Sequence, residues 1–231
     1  MLNAIAIVSS APVMVPELAS SAATETADLR EAALSAVAGL PSRWVGIGAA
    51  ATDSVAGPEA VGTFAGYGVD VRVGLSAEAV ESGRPPMPLP LCALIAGWLR
   101  GRAQPQARVE MRAVPEDLAV AEALGLGSRL RAELDDAAEP VGVLVVADGA
   151  NTLTPPAPGG YDPDSVPVQA GLDDALAGGD CDALTRLPAG VVGRAAYQVL
   201  AGLAGPAPRS AKELYRGAPY GVGYFVGVWG P

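Results

Sequence analysis

Val141-Gly142-Val143-Leu144-Val145-Val146 is an unbroken apolar run that ends in Ala147-Asp148-Gly149. A strand wetted on one face alternates apolar and polar residues, whereas this one has no polar face. It predicts a strand covered on both sides, as in a parallel sheet between two helical layers. Shorter runs of the same kind recur at residues 4–8, 44–47, 69–73, 109–113 and 224–229, and each reads as a strand. Helical spacing fills the gaps. Residues 27–40 place Leu29, Ala33, Leu34 and Val37 on one stripe, which stops at Gly39 and Pro41. Residues 89–99, 166–176 and 191–203 read as further helices, and 116–134 as one helix or as two broken near Gly125 and Gly127. This alternation predicts an α/β fold: a single three-layer α/β/α domain over residues 1–231 with a central, mainly parallel, mixed sheet.

Composition narrows the function. The 231 residues carry 25 acidic against 15 basic side chains, a formal charge of −10. Lys212 is the sole lysine and the arginines are scattered. Phosphate backbones and anionic membrane surfaces both demand clustered cations, so no nucleic-acid or membrane partner is expected. No apolar run reaches the roughly 20 residues that a bilayer requires. No basic region precedes the first apolar run, which reads as a strand and not a leader, so the expected location is the cytoplasm. Cys92 in an apolar helical pattern and Cys181 in a polar loop are expected to be reduced thiols. Above all, the chain contains no histidine. That absence removes the Ser-His-Asp triad, the Cys-His dyad and every histidine-bound metal centre.

Several short patterns remain. Gly46-Ile47-Gly48-Ala49-Ala50-Ala51 formally matches a dinucleotide-binding fingerprint, with Asp70 at ribose distance, but Gly57-Pro58 cuts short the helix it needs. The other reading is a plain tight turn. Ser9 and Ser10 lack a base unless Lys212, on a polar 210–213 turn, supplies one. Asp148 ends the most apolar strand, where loops of parallel sheets gather ligands; its other reading is a cap on the Gly149–Asn151 turn. Proline-rich stretches at 83–90 and 154–167 are candidate loops, the second directly downstream of that strand.

The segment Ile5-Ala6-Ile7-Val8-Ser9-Ser10-Ala11-Pro12-Val13-Met14-Val15-Pro16-Glu17-Leu18 resembles the start of class III extradiol ring-cleavage dioxygenases and their Memo-like relatives. In that superfamily the first strand runs into a loop bearing an iron-binding histidine, and Ser10 takes its place here. Val45-Gly46-Ile47-Gly48-Ala49-Ala50 resembles a second histidine-bearing stretch, with Ala49 or Ala50 at that position. Val145-Val146-Ala147-Asp148-Gly149-Ala150-Asn151 resembles a third, with Asn151 at the histidine, and residues 218–226 resemble the closing strand. The resemblance implies an extradiol-dioxygenase-like fold and, in the family, Fe(II) chemistry. Two imidazoles and a carboxylate hold such an iron. A hydroxyl, a methyl and an amide do not replace them, so no iron cofactor is expected.

The expectation is therefore a protein that keeps a polar pocket at the carboxyl ends of its strands, lined by Ser10, Asp53, Asp148, Asn151 and Tyr220. It would bind a small molecule or a protein partner without redox chemistry. The alternative is a carboxylate-based hydrolase or other non-redox enzyme, working by hydrolysis or proton transfer with or without a divalent cation, in which Glu17, Asp53 and Asp148 converge in one cleft. A homodimer seamed through the apolar helix around Cys92 and Trp98 is a further expectation.

Overall fold

A computed structural model describes residues 1–19 and 23–231. Four parallel strands form the centre of its main sheet: β1 (Leu2–Val8), β2 (Arg43–Ala50), β6 (Arg108–Pro115) and β7 (Val141–Val146). β3 (Ser54–Ala56) pairs antiparallel with β6 at one edge. At the other edge, β9 (Tyr224–Gly230) pairs antiparallel with β1, and β8 (Ser210–Gly217) with β9. The order is β3-β6-β2-β7-β1-β9-β8. All six residues of β7 are buried, as their apolar run requires of a strand flanked by β1 and β2.

Side-chain alternation assigns the two layers. Ala6 and Val8 of β1, Trp44 of β2, Leu144 and Val146 of β7 and Val226 of β9 share one core with α2 (Ala27–Ala38) and α4 (Leu91–Ala103). Ile5, Ile7, Val45, Ile47, Val143 and Val145 point the other way. They pack with α5 (Val120–Asp135), α6 (Ser165–Gly178), α7 (Cys181–Thr185) and α8 (Arg194–Ala204). The result is the three-layer α/β/α arrangement with a mainly parallel sheet. Two short helices, α1 (Pro16–Ala19) and α3 (Ala77–Glu81), complete the set.

Four expectations change. The strand expected at 69–73 is β5 (Arg72–Gly74), and it pairs with β4 (Val61–Thr63) in a separate two-stranded sheet. The polar turn expected at Lys212 is the edge strand β8, where one exposed side makes room for Lys212 and Arg216. Cys181 opens α7 and is buried, not in a loop. Finally, α4 has no apolar face free for a second copy. Cys92 to Arg100 are all buried within the chain, with Val73 of the small sheet lying against Gly97.

Both cysteines are free and buried, and burial pushes each thiol up to about 11. A thiol reacts as its thiolate, so neither should label with an aromatic disulfide reagent at pH 8 in the native protein. Both should label once urea unfolds the chain, and rapid native labelling would contradict the packing described.

Candidate functional site

The four parallel strands deliver their carboxyl ends to one cavity of about 630 Å³. Ser10 follows β1, Ala49 to Ala51 close β2, Val146 to Asp148 leave β7, and Glu116 follows β6. This is where open parallel sheets bind ligands, because successive loops diverge there and leave a crevice. Tyr67, Leu89 and Pro90 form the wall on the α4 side, and Val192 and Gly193 form the opposite wall.

Asp148 is fixed from both directions. Its Oδ1 accepts the Ser10 backbone N–H at 2.8 Å, which joins the ends of β1 and β7. Its own carbonyl accepts the Gly193 N–H at 2.8 Å. A Cβ at Gly193 would stand 2.7 Å from that carbonyl oxygen, so only glycine allows the approach. The next residues are held by Gln169, whose Oε1 accepts the Ala150 N–H at 2.8 Å while its Nε2 donates to Asp173 at 2.8 Å. Burial pushes the Asp148 carboxyl up to about 7, with the Ser10 N–H pulling the other way. Oδ2 has no hydrogen-bond partner among the described residues.

Behind it, the fully buried Tyr197 donates its hydroxyl to the Ala147 carbonyl at 2.9 Å. Burial, and then the charge of Asp148, raises this phenol well above its ordinary range, so it remains a donor. Tyr197→Phe leaves that carbonyl without its partner and should cost about 1–3 kcal/mol in urea unfolding. An unchanged midpoint would mean that the hydroxyl plays no part in holding the strand end.

The residues expected at the pocket separate. Ser10 and Asp148 line it, and so do Ala49 and Ala50. Asp53 is exposed between Thr52 and Ser54, which line the cavity while Asp53 does not. Asn151 faces the 151–160 loop, where its carbonyl accepts the Gly159 N–H at 3.0 Å. Tyr220 donates to Glu25 at 2.7 Å, away from the cavity lining. Glu17 is exposed and paired with Arg102 at 2.9 Å. Glu17, Asp53 and Asp148 therefore do not line one cleft, and the described residues hold no cluster of three metal-ligating side chains.

Glu116 and Tyr67 line the cavity without having been singled out in the sequence. Glu116 had a legible signal: it follows a parallel strand just as Ser10 and Asp148 do, but it reads equally well as the start of a helix. Tyr67 arrives on a short 3-10 turn (Phe64–Tyr67) that no pattern marks.

The dinucleotide pattern has a packing explanation. Gly46 and Gly48 lie within β2, not in a phosphate-binding turn, and β3 follows where a helix would be needed. A Cβ at Gly48 would stand 2.7 Å from the Cys92 sulfur, and one at Gly46 would strike Met111. Ferrous iron fits no better. At the positions that resemble iron ligands the cavity offers Ser10 and Ala49 or Ala50; its carboxyls are Glu116 and Asp148, the latter with one oxygen already holding an N–H, and it has nowhere an imidazole.

No family model matches the chain, and neither does any curated protein. Among solved structures it is similar to the uncharacterized protein JW3007 of Escherichia coli K12, at 11% identity with a TM-score of 0.57. The match covers 99% of this chain and 100% of the other. At that identity the likeness concerns the fold alone. No helix among the described residues is long and apolar enough to cross a membrane.

Proposed function

We propose that this chain is a small-molecule-binding protein of the extradiol-dioxygenase-like superfamily, with a ligand cavity where its relatives hold iron and with no ring-cleaving chemistry. One observation carries the reading. Ser10 and Ala49–Ala50, the positions that resemble two iron ligands, line a single cavity together with Asp148. In a pseudoenzyme of this kind the histidines are gone, but the crevice that their loops framed stays open.

The lining narrows the ligand. Its ionisable side chains are Asp148, Glu116 and Tyr67, and it includes no arginine or lysine. A carboxylate or phosphate ligand would meet only like charge, while an amine or a neutral hydrogen-bond donor meets Oδ2 of Asp148. Leu89, Leu91 and Val146 give such a ligand an apolar wall. We therefore assign small amines and neutral donors with an apolar body, about the size of an amino alcohol or an aromatic amine.

The test is calorimetry with benzylamine, benzyl alcohol and benzoate as probes. Binding of the amine, and of the alcohol more weakly, with benzoate excluded, supports the reading. Asp148→Asn should weaken the amine at least tenfold at pH 8, since the charge it meets is gone. Preference for benzoate, or an amine affinity indifferent to Asp148, contradicts it.

A further inference from the structure

A second cavity, of about 390 Å³, lies on the outer side of α4. Its charge runs against that of the chain. Arg72, Arg100 and Arg102 line it, with Glu81 as the sole carboxylate, in a protein whose acidic residues outnumber its basic ones 25 to 15.

Arg100 is the unusual member. It is only 3% exposed, yet no ion pair among the described residues includes it. Its Nε donates to the Gly74 carbonyl at 2.8 Å and its Nη1 to the Pro105 carbonyl. Those carbonyls satisfy two donors but do not neutralise the charge. A buried guanidinium without a counter-ion is costly, and arginines at such depth are normally paired. Desolvation accordingly lowers its pKa, opposed only by the more distant charge of Glu78.

A second group is also incomplete. Trp98 lines the same cavity, and its buried indole N–H has no acceptor among the described residues. Arg102 lies over the Trp98 ring at 5.9 Å and is held at one nitrogen by Glu17. The guanidinium that lacks an anion is the group an oxyanion in this cavity would satisfy. Val71, Val73 and Val80 supply apolar wall beside it.

We infer that this cavity is a binding site for a small organic oxyanion, a carboxylate or phosphate monoester carrying an apolar group. Its oxygens meet Arg100, while Arg102 and Arg72 guard the mouth, and the apolar group rests on the valines and the Trp98 ring. The site is separate from the cavity at Asp148 and opposite to it in charge preference.

Calorimetric titration of the full chain with phenyl phosphate, butyrate and inorganic phosphate tests this, with Trp98 emission as a second readout. We expect saturable binding at one site per chain, by phenyl phosphate or butyrate more tightly than by inorganic phosphate; whichever of the two binds tighter identifies the headgroup. Arg100→Gln should weaken it at least tenfold, and Arg102→Gln at least threefold. Arg131→Gln removes a cation on the opposite face and should leave it unchanged. If Arg100→Gln does not fold, the exposed pair Arg72→Gln and Arg102→Gln together replaces it, with at least a tenfold loss expected. No saturable binding of any of the three anions, or binding indifferent to these arginines, overturns the assignment.

Discussion

Asp148→Asn should stabilise the protein at pH 8 and leave it nearly unchanged at pH 4. The folded carboxyl is raised from 3.8 to about 7 by burial, whereas the unfolded chain keeps the ordinary value. Between those values the native state binds a proton that the unfolded state releases, so native stability falls as pH rises from about 4 to about 7 and is level above that. The displacement corresponds to at most about 4 kcal/mol at 1.36 kcal/mol per unit. Asp148 keeps some exposure to its cavity, and screening there brings the expected difference to about 2 kcal/mol. Asparagine retains an oxygen for the Ser10 N–H, so the gain is not cancelled by a lost hydrogen bond. Asp173, raised to about 6 chiefly by burial, adds a parallel loss that ends at lower pH. Urea unfolding of wild type and variant at pH 4, 6 and 8 separates the two. Parallel curves for both proteins would show that Asp148 is ionised and satisfied in the native state.

The second large effect lies in the layer of α5 and α8. Both helices approach backbone to backbone because each puts a glycine at the crossing. A Cβ on Gly127 would press into the Val199 carbonyl and stand 2.6 Å from the Leu203 nitrogen. One on Gly202 would meet the Leu124 carbonyl and stand 2.8 Å from its Cα. These obstacles are main chain, so relief requires moving a helix. Gly127→Ala and Gly202→Ala should each cost about 2–3 kcal/mol, and the corresponding valines more. Gly125, two residues away on α5, meets only the flexible end of Arg129 at 3.3 Å. There alanine should gain about 0.5–1 kcal/mol, since it restricts the unfolded chain without a clash. Thermal or urea unfolding of the three alanine variants reads the contrast directly. Equal effects at 125 and 127 would contradict the close crossing.

That contrast shows what the amino-acid order reveals and what it hides. Gly125 and Gly127 look alike in sequence, and either reads as a break. The helix is continuous, and only the neighbour across the interface distinguishes them. The strand at 141–146 was legible to the residue because both of its faces are buried, leaving no polar position to blur its ends. β8 was hidden because an edge strand carries Lys212, Glu213 and Arg216 like any solvated turn. β3 and β4, at three residues each, are too short for any period to declare itself.

The site divides along the same line. Ser10 and Asp148 each lie two residues past a parallel strand, so their place at the sheet's carboxyl edge comes from topology. Asn151 and Tyr220 lie farther along their loops, where backbone turns decide direction. One faces the 151–160 segment and the other is engaged with Glu25. The Arg100 cavity left no trace in the sequence, because arginines at the end of an apolar helix do not reveal whether a carboxylate will fold against them.

We propose that the crevice framed by Ser10, Ala50 and Asp148 holds an amine or a neutral hydrogen-bond donor. Backbone-amide NMR of the purified chain during a benzylamine titration tests it most directly. Saturable shifts are expected at Ser10, Ala49 to Thr52, Asp148 and Gly193, with no iron in stoichiometric amount and no ring opening of added catechol. Shifts confined to other surfaces, or one iron per chain with catechol cleavage, would contradict it.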